Sequence, residues 1–121
     1  MKFDTVLQSI GNTPLVRLRT VTRGLGGPGR GAPAVLAKVE YFNPGGSIKD
    51  RMGLAIIEEA ERRGQLAPGS TIIEATSGNT DIGLSLVGVQ KGFKVICVMP
   101  DNVSEERKRI IQAFGGQTEF V

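Results

Sequence analysis

The sequence predicts an α/β protein, a three-layer parallel sheet with helices on both faces, incomplete as a fold. Three observations carry the prediction. Strand-like and helix-like stretches alternate from residue 34 onward, and Gly or Pro marks the junctions. Residues 94–99, Lys-Val-Ile-Cys-Val-Met, form a near-continuous apolar run between Gly92 and Pro100, as a strand covered on both faces does. Finally, the chain is 121 residues with 40% apolar content, enough for one core and too little for two.

Before the alternation, Asp4 is placed to cap a short helical stretch over 5–10, which Gly11-Asn12 stops. Pro14 then opens an extended piece, 15–18. The Gly/Pro-rich stretch from Gly24 to Gly31 reads as a surface loop, because no Gly-Lys-Ser/Thr and no helical pattern follows it. Ala34 to Val39 reads as a strand and Asn43-Pro44-Gly45-Gly46 as a turn. Ser47 is placed to cap a helix reaching about Arg63, with Asp50 completing a capping box. Its apolar stripe is Ile48, Met52, Ala55, Ile56 and Ala60, while Glu58, Glu59, Glu61, Arg62 and Arg63 mostly face water. Gly64 stops the helix. Thr71 to Ala75 is a strand, 76–79 a tight polar turn, and 80–91 a helix closed by Gly92. Ser104 is placed to cap a last helix to Phe114, Gly115-Gly116 ends it, and Gln117 to Val121 begins another strand. With no helix following that strand, the sequence reads as a piece of something larger.

Composition narrows the function. Fifteen basic against twelve acidic residues give a net charge of +3, spread along the chain, which suits an anionic small molecule as well as a polyanion. Aromatics at 5% and no Trp leave little for base stacking, so no nucleic-acid partner is expected. Without histidine, and with Cys97 as the single cysteine, neither a His/Cys zinc site nor a His-based triad can be built, and no metal is expected. Cys97, in the middle of an apolar strand, reads as a buried structural thiol. No apolar run approaches a bilayer span and the N-terminus has no apolar targeting core, so a cytoplasmic location and no membrane partner are expected.

Two turns bear chemistry. Ligands of open parallel sheets sit at the carboxyl ends of strands, where helix N-termini present free N–H groups. In Asn43-Pro-Gly-Gly-Ser-Ile-Lys-Asp-Arg51, Lys49 opens a helix. The positive end of the helix dipole disfavours its ammonium and so favours the neutral amine, the form that condenses with a carbonyl. From physics alone, a solvated lysine in an ordinary charged surface with Asp50 and Arg51 is the reading to prefer. In Glu74-Ala-Thr-Ser-Gly-Asn-Thr-Asp81, Thr76, Ser77, Asn79 and Thr80 offer hydroxyls and an amide around Gly78. That is more hydrogen-bonding capacity than a helix cap requires and suits a carboxylate or phosphate.

Ile10-Gly-Asn-Thr-Pro-Leu-Val-Arg-Leu18 and these two turns together resemble the pyridoxal-phosphate enzymes of the tryptophan-synthase-β type (fold type II), in the cysteine synthase and cystathionine β-synthase branch. Met99-Pro100 and Ser104-Glu105-Glu106-Arg107 are similar to the segment that follows in that family. The resemblance implies pyridoxal phosphate as cofactor, with Lys49 holding it and moving the substrate α-proton. Asn79 would hydrogen-bond the cofactor's phenolic oxygen, and Thr76, Ser77, Gly78, Asn79 and Thr80 would grip the substrate carboxylate. It implies β-replacement on an activated serine such as O-acetylserine by a sulfur nucleophile, in cysteine biosynthesis, or cystathionine synthesis from serine and homocysteine. Residues 1–33 would belong with the larger domain of the parent fold and 34–121 would form the smaller, mobile subdomain. A homodimer is the family's habit. The family's glycine-rich phosphate loop falls later than Val121 in its order, so this stretch alone is expected to be inactive. Where the family has glycine, Asp81 follows the substrate loop. Its charge is expected to weaken carboxylate binding, and Asp81→Gly to tighten it. The reading of another class is a noncatalytic α/β binding module or truncated relic.

Overall fold

The computed structural model describes residues 2–26, 31, 33–76 and 78–121. Strands β1 (Leu15–Leu18) and β2 (Val35–Lys38) pair antiparallel, Leu15 opposite Lys38 and Leu18 opposite Val35. Helix α1 (Lys49–Arg62) leads to β3 (Thr71–Ala75), α2 (Asn79–Gln90), β4 (Lys94–Met99), α3 (Glu105–Ala113) and β5 (Gln117–Phe120). β3, β4 and β5 form a parallel sheet in that spatial order, with Ile73 opposite Ile96 and Cys97 opposite Thr118. The parallel α/β class read from the alternation is therefore present.

The layering differs. α2 and α3 connect strands that advance in one direction across the sheet, and crossovers of one hand then fall on one face. Val95, Cys97 and Met99 are buried beneath them, and α2 fills that core so completely that Asp81 through Gly88 are all buried. α1 joins the same side: a side chain on Gly88 of α2 would meet Val95, Ile72 and Ile57. Among the described residues no helix lies on the opposite face, where Ile73 is 65% exposed and Ile96 and Val98 are half-buried. β4 is thus fully covered on one face and not on both.

Local chemistry also departs from expectation at the caps and on α1. Thr5, not Asp4, caps the first turn, its hydroxyl accepting from the Leu7 N–H at 3.2 Å. Ser104 precedes α3 without a side-chain cap hydrogen bond. The expected stripe of α1 is not its core face, because Ile48 and Ile56 are about half exposed while Gly53 and Ile57 are buried. The reason is steric: α1 meets α2 backbone to backbone, so the contact face is the one with the least side chain. Met52, Ile56 and Ala60 instead line an open groove of about 570 Å³ between α1 and β3. Gly64, Gly92 and Gly115 close the helices with positive φ, as left-handed C-terminal glycines do. The Gly24–Gly31 loop lies partly outside the described residues.

Candidate active site

Two glycines decide where the lysine sits. A Cβ on Gly83 of α2 would come 2.6 Å from the Lys49 carbonyl oxygen, and one on Gly53 of α1 would come 2.9 Å from the Gly83 oxygen. Lys49 and Gly53 thus lie against Gly83, and Ile57 lies beside Gly88 further along. The two helices run parallel, and both N-termini open at the carboxyl end of β3. Asn79 precedes Gly83 by one helical turn and lines a cleft toward the start of α3, with Ile82, Ser104 and Arg107, while Thr80 lines the groove beside α1. The start of α1 and the start of α2 therefore lie side by side, with two positive helix ends directed to one region, the first N–H groups of α1 being taken up by Ser47 and Ile48. That field fits an anionic cofactor or substrate group.

The turn carrying Lys49 is held from several sides. The Lys49 N–H donates to Ser47 Oγ at 3.1 Å. Asp50, fully buried, does not reach back to Ser47 as a capping box would. It accepts from the Gly45 N–H at 2.5 Å instead, and a side chain on Gly45 would run into that carboxylate. Burial pushes the Asp50 carboxyl up from its usual range, opposed by the Gly45 hydrogen bond. Gly46, at φ 87°, completes the turn in a conformation that favours glycine.

Arg51 is no ordinary surface charge. Its Nε donates to Glu40 Oε2 at 2.8 Å and its Nη2 to Glu40 Oε1 at 3.0 Å, a two-pronged pair. The same Nη2 donates to the Gly11 carbonyl at 2.9 Å, and the Thr13 hydroxyl donates to Glu40 Oε1 at 2.9 Å. Asn43 accepts from the Gly11 N–H at 2.8 Å and donates to Glu40. The Arg51 hydrogen bonds, with help from Thr13 and Asn43, hold the Glu40 carboxyl down at about 2. This network stitches the Gly11-Asn12-Thr13 segment to the lysine turn, which explains why the first two motifs occur together. Individual charges gave no sign of it in sequence; the joint occurrence of the motifs was the available signal.

In the second turn, Thr76 folds the loop, its hydroxyl accepting from the Gly78 N–H at 3.0 Å. Gly78 precedes α2 in extended backbone, Asn79 is exposed, and Thr80 is half-buried beside the α1–β3 groove. Ser77 lies outside the described residues. Asp81 is turned away from this cradle: its side chain is fully buried, with the Cys97 thiol beside it and the charges of Glu74 and Arg107 acting on it. The expected direct effect of its charge on a carboxylate in the cradle is therefore not what this placement supports. Cys97 is fully buried, 3.5 Å from Ser85 Oγ, and burial pushes its thiol up to about 11. Among the described residues no helix is long and apolar enough to cross a membrane.

A family model described as pyridoxal-phosphate dependent enzyme matches residues 6–121. The chain is 50% identical over 121 residues to a cysteine synthase of a Flavobacterium species, covering all of this chain and 36% of that protein. It is 48% identical over 112 residues to the cystathionine beta-synthase of Mus musculus, covering 93% of this chain and 19% of that one. A crystal structure of cysteine synthase from Entamoeba histolytica superposes with a TM-score of 0.88 at 42% identity, over 99% of this chain and 35% of that chain. The chain spans about a third of the length of the cysteine synthases it matches.

Proposed function

The chain belongs to the pyridoxal-phosphate dependent enzymes, in the cysteine synthase and cystathionine β-synthase group, and from that premise we propose that it serves β-replacement on an activated serine by a sulfur nucleophile. The observation that carries the reading is the parallel crossing of α1 and α2, which sets Lys49 one helical turn from the residue that heads α2. Pyridoxal phosphate, when bound, supplies an electron sink for the substrate Cα.

This chain's residues would do the rest. Lys49 is the residue that would hold the cofactor and, once the substrate has taken its place, would move the proton at the substrate Cα. Asn79 donates its side-chain amide to the cofactor's ring oxygen. Thr76, Gly78 and Thr80, with Ser77 by its place in the motif, bind the substrate carboxylate through hydroxyls and the N–H groups at the α2 start. In the net reaction the Cβ–O bond breaks, the leaving group departs with its electron pair, and a thiolate forms the Cβ–S bond. O-Acetylserine and sulfide are the first reading of the substrates, on the identity to cysteine synthases. Serine and homocysteine are the second reading, on the comparable identity to the mouse cystathionine beta-synthase. The Glu40–Arg51 network keeps the lysine turn fixed, and water is excluded when 34–121 closes as a subdomain on the remainder of such an enzyme. A homodimer in the cytoplasm is the corresponding setting.

The test is the visible absorbance of the chain after incubation with pyridoxal phosphate. A band from a cofactor–lysine adduct that is present in the native chain and lost in Lys49→Ala is the expected result. A folded sample with no such band, or a band unchanged in Lys49→Ala, overturns the assignment.

A further inference from the structure

A buried acid stands next to the lysine and has no part in the chemistry above. Asp50 occupies the first turn of α1 and is fully buried. Its Oδ2 accepts from the Gly45 N–H at 2.5 Å, while its Oδ1 is buried without a hydrogen-bond partner. A carboxyl group shut away from water with one oxygen unsatisfied is a poor stabiliser, so its presence calls for another reason. The contacts around it supply one. The side chain folds back over five residues and closes a ring that contains Lys49. Gly45 is required for that contact, because a Cβ there would lie 2.9 Å from the Asp50 Cγ.

We propose that Asp50 is a positioning residue for Lys49, its carboxyl group pinning the Gly45–Gly46 turn over the start of α1. The path from acid to lysine runs through Ser47. In the first turn of a helix no carbonyl four residues back holds the N–H groups. Here the Lys49 N–H donates to Ser47 Oγ at 3.1 Å, and the Asp50 N–H donates to the Ser47 carbonyl at 3.4 Å. Ser47 follows directly on the turn that Asp50 pins, and that turn is closed by the Gly46 N–H on the Asn43 carbonyl at 2.8 Å. Without the tie to Gly45, Ser47 and the first turn it holds become free to open locally. The lysine then spends less time in the one geometry suited to reaction. What the held lysine does rests on the function proposed above; the hold itself does not.

Asp50→Ala and Asp50→Asn of the 121-residue chain test this by two readouts. Hydrogen–deuterium exchange without cofactor reads the hold. Amide protection across 45–51 should fall roughly tenfold in Asp50→Ala, the order of one lost hydrogen bond, with α3 unchanged. Asp50→Asn keeps an oxygen for the Gly45 N–H and should restore it. Trapping with pyridoxal phosphate and borohydride reads the lysine. The share of label on Lys49 relative to the other lysines should fall several-fold in Asp50→Ala and recover in Asp50→Asn. A merely structural role would lower Tm and leave that share unmoved in the folded variant. Should Asp50→Ala not fold, Gly45→Ala, whose methyl would run into the carboxyl group, should show both losses. Unchanged protection, an unchanged share, or an asparagine variant no better than alanine overturns the proposal. Lost protection rescued by asparagine, in a native chain that takes no label on Lys49, would refute the β-replacement reading and leave the hold standing.

Discussion

Replacing Gly83 by Ala puts the close approach of the two helices to a quantitative test. The added methyl would sit 2.6 Å from the Lys49 oxygen, 2.9 Å from its carbonyl carbon and 3.2 Å from the Asp50 nitrogen. Ordinary carbon contacts begin near ~3.5 Å, so the helices must part by roughly 1 Å, and all three obstacles are backbone that no rotamer change can move. Such overpacking costs about 3 kcal/mol, the upper part of its usual range. Helix propensity returns about 1 kcal/mol for Gly→Ala in a helix interior. The net loss of about 2 kcal/mol corresponds to a fall of roughly 8 °C in Tm for a chain of this size. Urea and thermal unfolding followed by circular dichroism measure it. Gly53→Ala, whose methyl would meet the Gly83 oxygen at 2.9 Å, should fall in the same direction by less. Unchanged or raised stability of Gly83→Ala would show only the propensity gain and refute the close approach of α1 to α2.

Three further outcomes follow from the electrostatics. Unfolded, Asp81 ionises near 3.8, whereas folded it keeps its proton to about 6, so stability should fall as pH rises between these values and stay level above them. The total is at most about 3 kcal/mol, and denaturant midpoints of Asp81→Asn across pH 4 to 7 should lack that decline. Glu40 acts with the opposite sign: its stabilisation is present above pH 4.5 and is lost as pH falls toward about 2, so Glu40→Gln should flatten the acid limb of a pH titration of Tm. Cys97, buried and with its thiol raised to about 11, should react with an aromatic disulfide reagent at least a hundredfold more slowly in the native chain than in denaturant, and comparable rates would contradict its placement.

How much of this could be read from sequence depends on the range of the interaction involved. Strand β3 and strand β4 were legible to the residue, because apolar runs between Gly and Pro are local signals. The glycines that end the helices were legible for the same reason. The face α1 buries was not: periodicity ranks Ile48 and Ile56 as core, but the backbone contact with α2 selects Gly53 and Ile57, and only the fold reveals that Gly83 lies opposite. The one-sided sheet was equally hidden, since strand patterns do not state which crossovers share a face. In the candidate site, the motifs nominated Lys49 and the 76–80 turn. Asp50 and Arg51 looked like surface charge because their partners, Gly45, Glu40, Gly11 and Thr13, are distributed over forty residues of chain. Asp81 carried a correct local signal, an acid in a first helical turn, and its burial beside Cys97 could not be seen without the sheet.

Borohydride trapping tests the central assignment most directly. The chain is incubated with pyridoxal phosphate, reduced and digested, and the pyridoxyl-bearing peptides are quantified by mass spectrometry. The adjoining helix starts predict label concentrated on Lys49, in excess of Lys2, Lys38, Lys91, Lys94 and Lys108 together. Label distributed over those lysines with Lys49 unmodified would contradict the account.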